Sequence, residues 1–353
     1  MKHKRLIAAV LLTSVALANS ACMKKQNLPK TKELHWEFKK TNQSWENKLS
    51  TTKLQIVSSY GDTQAFHPKV LNFSKPWNGY RYWMAYTPYP GADQRRENPH
   101  IQVSNNKITW KPVTKTDQAL DPVVPFEHPD KQYNSDTHLV YRKDLNVLEC
   151  YWRQVDNIRR IDRIFKRTTT DGKNWSDRQL VLESDARIDG ILSPSILYED
   201  GKYKMWTVNY IGEYPILYRE STDGFHWSTP REIYFQYPSE RLRSWHLDVI
   251  HTENGYEVLV VAFYRGHRHR DMNLYYTSSK DNQNYAPCTA ILKPSGNKSA
   301  WDNRGIYRSS FFIEDGSYYV YYSGIGYPIG PKSSQGVGLT YGPSIDRLKG
   351  YDK

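Results

Sequence analysis

Cysteine is scarce in this chain: three in 353 residues, with no Cys/His spacing of the kind that builds a zinc site. That scarcity excludes a disulfide-built scaffold and a small metal-stapled module. Long apolar runs are also lacking. The one such stretch, Leu6–Ala18, is too short to span a bilayer as a mature helix. Acidic residues are in the minority, 37 against 49 Lys and Arg, which leaves a formal net charge of +12. A basic balance admits nucleic acid, an anionic polysaccharide or a headgroup layer as partner, or simply a solubilising surface.

The first residues narrow that choice. Lys2, Lys4 and Arg5 precede the apolar stretch, and Asn19-Ser-Ala-Cys22 ends it, the layout of an export signal. Small residues running directly into Cys22 resemble a bacterial lipobox, although Asn19 stands where Leu is usual. Lipidation of Cys22 is the reading adopted; ordinary cleavage after Ala21 is the alternative. Residues 1–22 are therefore expected to be a lipoprotein signal peptide, and 23–50, rich in Lys, a polar tether. The expected location is outside the cytoplasm, membrane-anchored. Met23 after the cysteine points to the periplasm or outer membrane of a Gram-negative cell. Export argues against nucleic acid as a partner. Cys150 and Cys288 are expected as two buried thiols, and the protein as a monomer.

From residue 51 to 353 the chain repeats itself. His67, Asp136, Ser193, His246 and Arg308 each open a short apolar run, at spacings of 69, 57, 53 and 62 residues. An aromatic run follows most of them, as in Gly79-Tyr-Arg-Tyr-Trp-Met and Gly316-Ser-Tyr-Tyr-Val-Tyr-Tyr. A Ser-x-Asp-Gly-x-x-Trp turn then closes the unit. Thr169–Trp175 and Ser221–Trp227 are good copies; Ser104–Trp110 and Ser279–Tyr285 are degenerate ones. Units of this length holding about four strands are the blades of a β-propeller. The expected fold is all-β, a single five-bladed β-propeller, whose 14% aromatic content suits it. Leu54-Gln-Ile-Val57 is expected to be a strand that completes the last blade and closes the ring.

The repeated column should line one end of the central channel. Alternation then aims Lys69, His138, Ser195, Asp248 and Ser310 the same way. These polar positions could be a binding site or a buried structural network.

The units and their x-Pro-x-apolar-apolar and Asp-Gly-x-Tyr signatures resemble the five-bladed glycoside hydrolases of families 43, 32 and 117. The turns are similar to the Asp-box of sialidases. The resemblance covers nearly the whole mature chain and implies action on glycans. Family 43 enzymes place an aspartate base in the first blade, where this chain has His67. Their catalytic set therefore does not transfer residue by residue.

Glycosidic-bond hydrolysis in a surface or extracellular polysaccharide, possibly an anionic one, is the expected function. It needs an acid and a carboxylate base or nucleophile. Asp136 and Asp248 are the candidate pair, with Glu97 in reserve. His67, His138, Asp189, Ser193, Trp245, His246, Tyr307 and Arg308 are expected to bind substrate. Arg265-Gly-His-Arg-His-Arg270 is a basic loop that could hold an acidic sugar or simply be solvated. A non-catalytic glycan-binding or scaffold propeller is the alternative function. No metal and no cofactor are expected. The mixed set His67, Asp136, His138, His246 and Asp248 is the weighed alternative that could hold a divalent ion.

Overall fold

A computed structural model describes residues 47–353, except 122–130, Arg268, Arg270, 328–333 and Lys353. The signal sequence, Cys22 and most of the expected tether lie outside the described residues. Among the described residues no helix is long and apolar enough to cross a membrane.

The described chain forms five antiparallel four-stranded sheets arranged as a β-propeller. Blade one holds β1 (Ala65–Trp77), β2 (Tyr80–Pro88), β3 (His100–Ser104) and β4 (Lys111–Pro112). Blade two holds β5 (Gln132–Arg142), β6 (Val147–Asp156), β7 (Ile161–Thr169) and β8 (Gln179–Asp185). Blade three holds β9 (Ile191–Glu199), β10 (Lys202–Asn209), β11 (Ile216–Ser221) and β12 (Arg231–Ile233). Blade four holds β13 (Leu242–Thr252), β14 (Gly255–Tyr264), β15 (Met272–Ser279) and β16 (Thr289–Leu292). Blade five holds β17 (Gly305–Glu314), β18 (Ser317–Ile325), β19 (Gly336–Gly342) and β20 (Lys349–Gly350). In every blade the first strand lies innermost.

Each blade is a meander, so apolar cores form between blades rather than inside one. A carboxylate–tyrosine latch recurs at four of the five seams. Glu149 accepts from Tyr203, Glu199 from Tyr256, Glu257 from Tyr318 and Glu314 from Tyr82, at 2.8–3.0 Å. The Asp-box-like turns join third strands to fourth strands. In blade two, Asp171 Oδ1 accepts the backbone N–H of Lys173 and Asn174, both at 2.8 Å. Asn106 does the same for Ile108 and Thr109 in the degenerate copy, because an amide oxygen serves as well as a carboxylate there. Gly172 is required in its turn: φ is +73°, and a Cβ would meet the Trp83 ring at 2.1 Å.

The closure differs from the expectation. The fourth strand of blade five is β20, from the C-terminus, and residues 54–57 form no strand. The N-terminal segment instead runs along the outer strands of that blade. Lys48 N–H donates to Leu348, Thr51 N–H to Tyr351 and Leu54 N–H to Val337. These backbone bonds, side-chain bonds of Asn47 and Ser50 to the same blade, and the packing of Leu54 and Ile56 on Val337 and Leu339 fasten the segment there. Cys150 and Cys288 are buried free thiols, as expected.

Asp302, just before β17, is buried and accepts a hydrogen bond from the Tyr322 hydroxyl at 2.9 Å. Burial pushes its carboxyl up to about 6 from the ordinary 3.8. The folded state therefore holds a proton that the unfolded state releases. This contribution is complete below pH 4 and is lost as pH rises through 6. Asp302→Asn is expected to be more stable than wild type by roughly 2–3 kcal/mol at pH 8, with the gain vanishing near pH 4. Urea denaturation at the two pH values measures it; an equal effect at both would remove the titration as its cause.

Candidate functional site

The five inner strands lie around the axis with their inward edges unpaired by any sheet. Each edge carries backbone N–H groups that need acceptors. The polar columns supply them. Ser193 N–H donates to Asp136 Oδ2 at 3.2 Å and Ile196 N–H to His138 Nε2 at 3.0 Å, joining β5 to β9. Leu247 N–H donates to Ser193 Oγ and Val249 N–H to Ser195 Oγ, both at 3.0 Å, joining β9 to β13. Phe311 N–H donates to Asp248 Oδ2 at 3.2 Å, joining β13 to β17, and Val70 N–H to Ser310 Oγ at 3.0 Å, joining β17 to β1. At the remaining seam Thr137 donates to the His67 carbonyl at 2.9 Å. Much of the polarity of the two columns is thus explained by stitching one blade to the next.

Every inner strand carries a register shift at the first-column position. His67, Asp136 and Ser193 sit there at φ of +49°, +53° and +54°, a costly conformation for residues with a Cβ. The bulge turns the first-column side chain toward the upper mouth of the axis, where the inner strands begin. It separates the columns into two layers.

The lower layer is an ion-paired plug. Lys69 Nζ lies 2.7 and 2.9 Å from the two oxygens of Asp248, and Ser195 Oγ 3.3 Å from the first. His138 is fully buried, with Nε2 against the Ile196 backbone. Asp248, expected as acid or base, and His138, expected as a substrate ligand, are thus placed in this lower layer. Both belong to the plug, below the mouth: both Asp248 oxygens meet Lys69, and His138 Nδ1 lies 4.0 Å from Asp248 Oδ1 with no hydrogen-bond partner among the described residues. Ser193 is likewise taken: its hydroxyl donates to Leu247 O and accepts from Leu247 N–H. Asp189 pairs with Arg219 at the periphery.

The upper layer is different. Asp136 Oδ2 faces Arg153 Nε at 3.2 Å, while Oδ1 faces His67 Nε2 at 3.5 Å, His246 Nδ1 at 3.4 Å and Arg308 Nη1 at 3.4 Å. Burial opposes its ionisation, but the guanidinium charges of Arg153 and Arg308 outweigh it and hold the carboxyl far below the usual range. Burial, the larger effect, keeps both imidazoles neutral: His67 falls to about 3 and His246 well below its ordinary value. His67 Nδ1 bonds Thr87 Oγ1 at 2.9 Å, which leaves Nε2 toward Asp136. Among the described residues neither ring nitrogen of His246 has a hydrogen-bond partner, although the residue is 1% exposed. One ligand atom from each of His67, Asp136 and His246 falls within 4.8 Å of the others. Two neutral imidazoles and an ionised carboxylate, one imidazole otherwise unsatisfied, form a donor set that fits a divalent cation.

Glu97 hangs over this cluster from the loop before β3. Its Oε1 lies 3.7 Å from His67 Nδ1, and burial, then the Asp136 charge, pushes its carboxyl well above the usual range. Tyr307 walls the mouth, with ring centroids 4.6 Å from His246 and 5.5 Å from His67. Trp245 stands at the rim beneath His269 of the basic loop, 3.9 Å away and nearly parallel. Arg265 of that loop pairs with Glu213. Arg153 was not among the sequence candidates. Its signal was a charge inside the apolar run of β6, Cys150-Tyr-Trp-Arg.

No family model matches the chain. An A type blood N-acetyl-α-D-galactosamine deacetylase of Flavonifractor plautii is 27% identical over 306 residues, covering 74% of this chain. The chain spans about two fifths of that relative's length. Among solved structures, an N-acetylgalactosamine deacetylase from F. plautii, bound to blood group B trisaccharide, superposes with a TM-score of 0.76. It is 23% identical and covers 86% of this chain and 97% of its own. A thermostable family-43 glycoside hydrolase follows at 0.56 and 15%, covering 86% and 96%. An exo-1,5-α-L-arabinanase from a bovine ruminal metagenomic library gives 0.57 and 15%, covering 79% and 94%. The fold is shared with all three.

Proposed function

We propose that this chain processes a glycan by removing an acyl group from the nitrogen of an amino sugar, with a divalent cation held by His67, Asp136 and His246. The observation that carries the reading is the unsatisfied, buried His246 beside His67 and Asp136. The likeness to a sugar deacetylase supports the reaction class. A cation bound there would polarise the acyl carbonyl and acidify a water.

The chain's own residues supply the rest. Glu97, above His67, ionises once a cation at the site offsets burial and the Asp136 charge; it then takes a proton from the attacking water and returns it to the departing nitrogen. Water adds to the acyl carbon, the C–N bond breaks, and a carboxylate and a free amine leave. Arg153 and Arg308 hold Asp136 ionised and keep its Oδ1 turned to the two imidazoles. Tyr307 offers an aromatic wall to the sugar, and the stacked pair of Trp245 and His269 an aromatic rim. In this proposal the domain works outside the cytoplasm, tethered through Cys22.

Glycosidic-bond hydrolysis is the second reading, favoured by the family-43 fold neighbours. There Glu97 would be the acid and Asp136 the base, since Asp248 is committed to Lys69.

Both readings are separated by one assay on N-acetylated glycans. Acetate and free amine should appear without new reducing ends, stop on chelation, and return with added metal. Glu97→Gln should lower the rate by about 10²–10⁴-fold while metal content is kept. New reducing ends without acetate would replace deacylation with glycosidic cleavage. Binding with neither product would favour a non-catalytic propeller.

A further inference from the structure

A groove of about 780 Å³ lies away from the mouth. It lies on the seam between blades five and one, among Lys48, Ile108, Tyr319, Tyr341, Lys349 and Tyr351. Topology fixes its end of the molecule. Inner strands start at the upper mouth and run down; second strands return, and third strands run down again. The turn at 104–110 follows β3, Tyr319 begins β18 and Tyr341 ends β19, so all three lie at the lower end, opposite the candidate site.

The floor is an aromatic ladder laid across three strands. Phe312 and Tyr319 stack at 5.3 Å and 21°, and Tyr319 and Tyr341 at 5.9 Å and 12°. The register pairs these residues directly, so the ladder is built into blade five. Its last ring, Tyr341, is 38% exposed. A flat, rigid aromatic face open to water, backed by other rings, offers a stacking surface for a sugar ring. The sides of the groove are basic. Lys107 is neutralised by Glu314 at 2.6 Å. Lys48 and Lys349 are exposed, and among the described residues neither has an ion-pair partner. Asp352, the acidic residue of the groove, accepts from Thr51.

We propose that this lower groove is a second glycan site that binds an anionic polysaccharide, the sugar ring on Tyr341 and its acidic groups between Lys48 and Lys349. A stacking platform alone would take neutral sugars, and lysines alone would take any polyanion. Together they select a sugar chain carrying carboxylates or sulfates. Placed opposite the mouth, the groove holds the polymer without competing for the upper site, and it stands whether or not the upper site is a deacylase.

Affinity electrophoresis of the full chain through gels containing polygalacturonate, dextran sulfate or neutral dextran tests it. Retardation is expected from one or both anionic polymers and not from dextran; which of the two acts separates carboxylate from sulfate recognition. Tyr341→Ala should weaken retardation about fivefold, and Tyr341→Phe should preserve it. The pair Lys48→Glu and Lys349→Glu should weaken it by about tenfold or more. Activity at the upper mouth should be unchanged in all of them. No retardation by either polyanion, equal retardation by dextran, or retardation indifferent to Tyr341→Ala would each overturn the proposal.

Discussion

Replacing His246 with phenylalanine is expected to make the metal-free protein more stable and to abolish cation binding. Among the described residues this imidazole has no hydrogen-bond partner at either nitrogen. A buried polar group left unsatisfied costs about 1–3 kcal/mol, so an apolar ring of similar shape should recover roughly 1–2 kcal/mol. Phenylalanine keeps the ring packing against His67 and Tyr307. Added zinc or manganese should raise the wild-type melting temperature through mass action and leave the variant unmoved. Affinity should fall by more than about 100-fold, since even partners behind a ligand commonly cost 10–100-fold. Thermal denaturation with and without chelator, together with metal analysis, reads both effects. A variant that is less stable in chelator, or that still responds to metal, would show that His246 is a packing residue. The pattern, stability sacrificed at a position that packing does not require, is the usual signature of a working site.

Lys69→Met is expected to be the most damaging single change in the lower layer. It leaves the Asp248 carboxylate, 1% exposed, without its cation. Breaking a buried pair from one side costs about 3–5 kcal/mol, because an uncompensated charge remains. Adding Asp248→Asn should recover most of that loss. The asparagine is neutral, and its side-chain oxygen can still accept the Phe311 N–H that joins blades four and five. The double variant should therefore lie within about 1–2 kcal/mol of wild type, the cost of weaker hydrogen bonds. Urea unfolding of the two singles and the double gives the coupling directly. Losses that simply add would mean that the plug is held by packing rather than by charge. Upper-site metal affinity should change little in the folded double variant, since the plug stands below the bulges.

These results bear on how far the site could be read in advance. The two columns were visible as polar residues inside apolar runs. What was invisible is that one chemical need, acceptors for unpaired strand edges, accounts for Ser193, Ser195, Ser310, Asp248 and half of Asp136. A serine that caps a neighbouring backbone and a serine that waits for substrate look the same in a sequence. The bulges decide between them, by aiming His67, Asp136 and His246 upward and leaving Asp248 in the plug. Periodicity alone puts residues two apart on one face but says nothing of depth along the axis. Glu97 was legible as a carboxylate on the long loop before a third strand, whereas Arg153 reaches the site from a second strand, so no spacing could join it to the column.

By itself, then, the sequence determined the class of the molecule: five units, their aromatic seams, their Asp-box-like turns and their two buried thiols. Those follow from local alternation and turn chemistry repeated along the chain. Only the tertiary structure decided which polar residues are free. It also decided that Lys349–Gly350 forms the last strand and that a tyrosine ladder opens beside two lysines without an ion-pair partner among the described residues. Each depends on which backbone and side-chain atoms from distant blades already satisfy one another, and that is settled when the ring closes.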